Sequence, residues 1–175
     1  MNIKTVKVGF LETNCYILNI DDECLVIDPG DEESKIIETI GELKPIAIIV
    51  THYHFDHIGA LEKIKNKYNI LVYDINNLEE KDYKLGKFEF EVIYTKGHDD
   101  TCISIYFSKE KMMFVGDFIF KDSIGRIDLE GSNEDEMFKS LSKIKNYPND
   151  ITIYPGHGVI TNLGYEKENN EYFKL

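Results

Sequence analysis

Three of the chain's five histidines fall within six residues, in Thr51-His52-Tyr53-His54-Phe55-Asp56-His57. Imidazole and carboxylate together suit zinc, and also iron or manganese. In extended chain, residues two apart share a side, so His52, His54 and Asp56 are expected to project together. Tyr53 and Phe55 then point the opposite way, most simply into packing. His57 opens a helix and leaves in a new direction, so one short loop could serve two nearby metals. An isolated pair of histidines is often merely solvated. His-x-His-x-Asp-His at the C-terminal end of a buried strand is instead the spacing a ligand set needs.

The other two histidines occupy similar places. His98 lies in Thr95-Lys96-Gly97-His98, just after the strand-like run Phe88–Tyr94. His157 lies in Tyr154-Pro155-Gly156-His157-Gly158, just after Ile151–Tyr154. Asp117 closes Met112–Val115 in Gly116-Asp117. Singly, a Gly-His or Gly-Asp pair is usually only a turn. Together, every histidine follows a predicted strand, and sheet ends along one edge are where α/β folds collect their sites.

The elements that must position these groups are legible as alternation and helical spacing. Strands are expected at Ile3–Phe10, Thr13–Ile20, Cys24–Asp28, Ile46–Val50, Ile70–Tyr73, Phe88–Tyr94, Cys102–Phe107, Met112–Val115 and Ile151–Tyr154. Helical periodicity appears over Glu32–Leu43, His57–Tyr68 and Asn133–Ile144. Two hairpin sequences resemble each other: Thr13–Ile17 leading to Leu25–Asp28, and Thr101–Ile105 leading to Phe114–Asp117. Each is followed by a helix and another strand. The pattern predicts two similar halves, each a sheet covered by helices, packed sheet to sheet in a mixed α/β fold.

The chain has 175 residues, enough for one domain with its own core, and no linker or low-complexity segment divides it. Net charge is −12, with 20 Lys+Arg against 32 Asp+Glu, which disfavours nucleic acid as a partner. Ile46–Val50 is the longest apolar run, far short of a membrane span. The N-terminus alternates like a strand and lacks a signal-peptide core, so a cytoplasmic location is expected. Cys15, Cys24 and Cys102 read as small buried residues, since three cannot pair completely and no CxxC spacing occurs.

As a set, the motifs resemble the metallo-β-lactamase superfamily, and specifically its glyoxalase II-like (hydroxyacylglutathione hydrolase-like) branch of small hydrolases. The resemblance is carried by Thr13-Asn14-Cys15-Tyr16, Asp28-Pro29-Gly30, Thr51–His57, Gly97-His98, Gly116-Asp117, Gly125-Arg126-Ile127-Asp128-Leu129 and Pro155-Gly156-His157-Gly158. The histidine motif is very specific to the superfamily, and Gly-Arg-x-Asp-Leu points toward the glyoxalase II-like branch. The resemblance implies a four-layer αββα sandwich of two mixed β-sheets. It implies a first metal held by His52, His54 and His98, and a second held by Asp56, His57 and His157. Asp117 would bridge both. Two divalent ions per chain are expected, zinc first, with iron or manganese also accepted. The implied reaction is hydrolysis of a small thioester of hydroxyacyl-thiol type by a metal-bridging hydroxide, with Asp56 and Asp117 catalytic. A thiolate leaving group needs little protonation, which suits a site without an obvious extra acid.

Metallo-β-lactamases of the main resistance class carry a Cys where Asp117 stands and are secreted. Full-length glyoxalase II adds a C-terminal helical domain. This chain ends soon after the His157 motif, so a single domain over 1–175 without a separate substrate domain is expected. A related persulfide dioxygenase would use one iron held by His52, His98 and Asp117; the intact second ligand set favours two metals. A non-catalytic metal-dependent binding module is the third reading, and the complete ligand set argues against it. Arg126, the only arginine, could anchor a substrate carboxylate or instead pair with Asp128 or Asp122 to fix its loop. Asn14 and Ser123 are candidates to lie near the site. The tail, Glu166–Leu175, resembles a family ending in which an aromatic docks back, which Tyr172-Phe173 fit; a frayed polar tail is the alternative. Oligomeric state is not legible.

Overall fold

A computed structural model describes residues 1–174. The first sheet contains β1 (Asn2–Val8), β2 (Thr13–Ile20), β3 (Glu23–Ile27), β4 (Lys44–Ile49) and β5 (Leu71–Tyr73), in that spatial order. Its first two pairings are antiparallel and its last two parallel. The second sheet runs β13 (Thr161–Asn162), β12 (Thr152–Pro155), β9 (Met112–Gly116), β8 (Ile103–Phe107), β7 (Phe88–Tyr94) and β6 (Asp82–Leu85). A small hairpin of β10 (Ile119–Phe120) and β11 (Ser123–Ile124) stands apart.

The period-2 pattern of the strands builds the layers. Tyr16, Leu18, Leu25, Ile27, Ala47 and Ile49 pack against Phe88, Phe90, Ile103, Ile105, Phe107 and Phe114 between the two sheets. Alternate residues of the first sheet, Cys15, Ile17, Val26 and Ile48, meet Ile36, Ile40 and Ile64. Those isoleucines come from α1 (Glu33–Ile40) and α3 (Leu61–Tyr68). On the outer face of the second sheet, Met113 and Val115 meet Met137, Leu141 and Ile144 of α4 (Glu134–Ile144). The result is the expected αββα sandwich. Asn133 starts α4 by accepting the Glu136 N–H at 3.1 Å, and three acidic residues fill its first turn.

The two expected hairpins, β2–β3 and β8–β9, sit one in each sheet. The likeness extends further. In β1-β2-β3-α1-β4 and in β7-β8-β9-α4-β12, two antiparallel pairings are followed by a parallel one across a helix. Those pairings run β7, β9 and β12 in one direction, so their C-terminal ends share one edge of the sheet.

One helix differs from expectation, and four strands and one helix were not expected. The helix predicted over His57–Tyr68 is two pieces, α2 (Phe55–Ile58) and α3, broken at Gly59-Ala60. There the Ala60 N–H turns to the Pro29 carbonyl, and a Cβ on Gly59 would stand 2.3 Å from the Gly30 oxygen. Short or polar strands β6, β10, β11 and β13 carry too little apolar alternation to be predicted. Helix α5 (Leu163–Asn169) was also not predicted.

Phe173 is buried against the α4 face, so the tail docks through Phe173, with Tyr172 partly exposed. All three cysteines are free and buried, and burial pushes the Cys15 and Cys102 thiols well up. Among the described residues, no helix is long and apolar enough to cross a membrane.

Helix α5 also anchors the β10–β11 turn. Glu166, fully buried, accepts the Asp122 N–H at 3.0 Å, the Thr161 hydroxyl at 2.5 Å and the Asn170 amide at 2.8 Å. Replacing Glu166 with Gln would turn an amide donor toward groups that themselves donate. We expect Glu166→Gln to lower unfolding free energy by about 1–3 kcal/mol in urea titrations, the cost of an unsatisfied buried group. An unchanged midpoint would show the network to be dispensable.

Candidate metal centre

All five histidines and Asp117 converge at one edge of the sandwich, the histidines carried there by the C-terminal ends of β4, β7 and β12 and Asp117 by that of β9. His52, His54 and His98 bring ligand atoms within 4.8 Å of one another, and Asp56, His57 and His157 do the same. Asp117 stands between the two groups. Its Oδ1 is 3.3 Å from His57 Nε2, while Oδ2 is 3.6 Å from His98 Nε2 and 3.5 Å from His157 Nε2.

Extended-chain alternation ends one residue too early to group Asp56 with His52 and His54. His54 is extended, but Phe55 already begins α2, so Asp56 and His57 leave together toward His157. The same geometry overturns the expected packing of Phe55, which is 66% exposed at the mouth of the site and stacks on Phe10. Tyr53 is also partly exposed; its hydroxyl donates to Asp74 Oδ2 at 2.5 Å.

Two glycines permit the close approach. Gly116 has φ 52°, and a Cβ there would meet Thr51 Oγ1 at 2.3 Å. A Cβ on Gly156 would meet Asp117 Oδ1 at 2.2 Å and His57 Cε1 at 2.6 Å. Asn14 holds the same segment, donating its backbone N–H to Gly156 O and its amide to the Pro155 and Gly158 carbonyls. Asn14 therefore does lie beside the site. Ser123 does not line the cavity; its neighbour Ile124 does.

Groups behind the rings fix which nitrogen faces inward. Carbonyls only accept, so His98 Nδ1–H donates to Arg126 O at 2.8 Å and His157 Nδ1–H to Leu11 O at 3.0 Å. His57 Nδ1–H donates to Asp28 Oδ2 at 2.9 Å. Thr51 gives its hydroxyl proton to Asp28 Oδ2 at 2.6 Å, so its oxygen accepts from His52 Nδ1 at 3.2 Å. Each Nε2 is thereby left facing the centre. His54 is reversed: its Nδ1 stands 2.9 Å from His98 Nε2, and its Nε2 is 3.8 Å from Asp99 Oδ2. Asp28, Thr51, Asp99 and the two carbonyls were not singled out from sequence. Asp28, Thr51 and Arg126 lie in motifs that carry the family resemblance, but no sequence signal marked them for this role.

The charges divide the centre. Burial, with the neighbouring His57 charge, pushes His52 well below the usual histidine value. Burial and His98 lower His54. Burial also disfavours the His57 cation, but the Asp28 charge, the hydrogen bond to Asp28 and the nearby Asp117 carboxylate outweigh it and raise His57 to about 10. Burial likewise opposes the Asp56 and Asp117 carboxylates. His157 and His57 nonetheless hold Asp56 well below its ordinary value, and His57 holds Asp117 at about 2.

Among the described residues, His52 Nε2, His57 Nε2 and Asp117 Oδ1 are buried without a hydrogen-bond partner. Each such atom costs about 1–3 kcal/mol. All three turn toward the centre and have the chemistry of divalent-metal ligands. The residues present therefore fit one or more divalent cations.

A cavity of about 500 Å³ opens onto this centre, lined by His54, Asp56, His98, Asp117 and His157 together with Leu11, Phe55, Phe120, Ile124, Leu129 and Arg126. Arg126 is exposed and bound bidentately to Asp128, at 2.9 and 3.0 Å. Of its two expected roles, the ion pair is formed, with Asp128 as partner.

The chain matches the family model described as Metallo-beta-lactamase superfamily over residues 8–80 and 70–157. Probable metallo-hydrolase YqgX of Bacillus subtilis is 33% identical, across 98% of this chain and 97% of its own length. Hydroxyacylglutathione hydrolase GloC of Haemophilus influenzae is 28% identical, across 98% of each chain. Of solved structures, BLEG-1 B3 metallo-beta-lactamase superposes with a TM-score of 0.95 at 31% identity, covering 99% of this chain and 100% of that one. TTHA1623 in a di-iron-bound form superposes at 0.89 with 29% identity, covering 97% and 99%.

Proposed function

The chain belongs to the metallo-beta-lactamase superfamily, and we propose that it is a dinuclear metal-dependent hydrolase that cleaves a small thioester of hydroxyacyl-thiol type. The observation that carries the reading is the complete second ligand group, Asp56, His57 and His157, beside the first, with Asp117 between them. A single-iron dioxygenase would need only His52, His98 and Asp117. His52, His54 and His98 would hold one ion, Asp56, His57 and His157 the other, and Asp117 would contact both. Bound there, divalent ions supply water of near-neutral pKa and polarise a carbonyl.

The chain's own groups do the rest. Thr13 donates to Asp56 Oδ2 at 2.8 Å, and His157 Nε2 lies 3.1 Å from the same oxygen. The Asp56 carboxylate, whose Oδ2 also lies 3.6 Å from His57 Nε2, would orient an attacking water by accepting its hydrogen bond. Asp56 stays ionised for this at any working pH. The cavity wall offers no lysine, tyrosine or cysteine acid, so a leaving group that departs as a thiolate suits it best. GloC, named a hydroxyacylglutathione hydrolase and matched over 98% of its length, supports a thioester reading. Cleavage of a β-lactam amide is the second reading, favoured by the whole-length likeness to BLEG-1.

Elemental analysis of protein purified without added metal or chelator, run beside thioester and β-lactam assays, tests the proposal. Two metals per chain and thioester turnover are expected. One iron per chain with persulfide-dependent oxygen uptake would replace the hydrolase with a dioxygenase. Iron alone does not discriminate, since TTHA1623 holds a pair of irons; stoichiometry does.

A further inference from the structure

The cavity beside the metal-facing groups is walled by Leu11, Phe55, Phe120, Ile124 and Leu129, with Arg126 as its single lysine or arginine. The Arg126 fork is already closed on Asp128. Lys121, in the adjoining hollow with Phe120 and His157, lies over the Tyr165 ring at 5.7 Å. An anionic substituent therefore meets little uncompensated positive charge on the wall, in a chain of net charge −12. An apolar one meets exposed Leu11 and Phe55 and half-buried Phe120 and Leu129, set on Ile124, which is itself packed into the core. Phe55 is 66% exposed and Phe10 82% exposed, yet their rings stack at 6.4 Å and 20°, giving Phe55 a fixed face toward the cavity. Isolated exposed apolar residues need no explanation, but a contiguous patch that opens onto a reactive centre does.

We propose that the substrate carries an uncharged apolar group seated on this wall, and that Phe55 is a specificity-determining residue. The inference rests on the thioester reading and names its substrate class. The apolar group could belong to the acyl half or to the thiol half, so the test varies each alone. In the acyl arm, lactoyl and 2-hydroxyhexanoyl thioesters of one neutral thiol are compared. In the thiol arm, lactoyl esters of butanethiol and of 3-mercaptopropionate are compared.

Each buried methylene is worth about fourfold. The three added in the acyl arm are therefore expected to raise kcat/KM at least about tenfold if that half is seated. If the thiol half is seated, butanethiol should be preferred by a similar factor. Phe55→Ser is expected to remove most of the gain in the responding arm. Leu71→Ser, an exposed apolar residue on β5 that does not line the cavity, should keep it. Turnover of thioesters with no gain in either arm, or with preference for the anionic thiol, overturns the apolar seat and leaves the thioester reading standing. No turnover of any thioester by metal-loaded protein overturns both.

Discussion

Asp117→Asn should leave the protein folded with less than its full metal complement and lower thioester turnover by a factor of about a hundred to ten thousand. The side chain keeps its size, so packing against Gly156 survives. What changes is one oxygen and the negative charge that faces His57, His98 and His157. A neutral amide is a poor ligand for a hard divalent ion, and its NH₂ would point at a lone pair or at a cation. Several kcal/mol of transition-state charge stabilisation depend on ions held at this spot, which sets the range. Elemental analysis of the variant beside its kcat/KM separates lost metal from lost chemistry. Full metal content with full activity would remove Asp117 from the centre.

The second large effect is expected at a residue that need touch no metal. Asp28 sits at φ 50°, buried, with three hydrogen bonds converging on its carboxylate: the Thr51 N–H and hydroxyl, and His57 Nδ1. Asn tolerates the left-handed conformation nearly as well as Asp, so Asp28→Asn removes the charge without adding backbone strain. We expect it to cost about 2–4 kcal/mol of stability and about 10–100-fold in metal affinity, the usual effect of losing the group behind a ligating imidazole. Competition with a chromophoric chelator reads the affinity.

The pH dependence of metal-free protein gives an independent check. His57 is raised to about 10 in the folded chain. The stability it contributes is complete below the unfolded value near 6.5 and is lost as pH rises through about 10. Metal-free wild type should weaken across that window, and Asp28→Asn should be much flatter there. Equal slopes would mean that Asp28 does not hold the His57 proton.

The ligand groups were legible because metal chemistry restricts residue types, and because His52 to His57 are neighbours in sequence. His98, Asp117 and His157 were legible once each was seen to follow a strand. The groups behind them were not. Asp28 and His57 are 29 residues apart, Leu11 and His157 146 apart, and a backbone carbonyl has no sequence signature. The sandwich could be read because β7 alternates and because β2, β3, β4 and β9 are apolar runs buried on both faces. Edge strand β6, Asp-Tyr-Lys-Leu, alternates over only four residues, and its apolar stripe is only half-buried. Phe55 was misplaced by the same rule that placed His54, because the chain turns helical between them.

The internal repeat has a consequence for how the molecule holds together. His52, His54, Asp56 and His57 follow β4 of the first half, while His98, Asp117 and His157 follow β7, β9 and β12 of the second. Each ligand group takes members from both. An ion bound in either group is therefore a rivet across the seam, and neither half alone can make it. Mass action then ties the seam to the free metal concentration, with stabilisation growing as the logarithm of metal over its dissociation constant. Hydrogen exchange at the inward-facing amides of β4 and β9 should slow together as metal is added. Without metal, the seam would rest on the apolar packing between the two sheets alone.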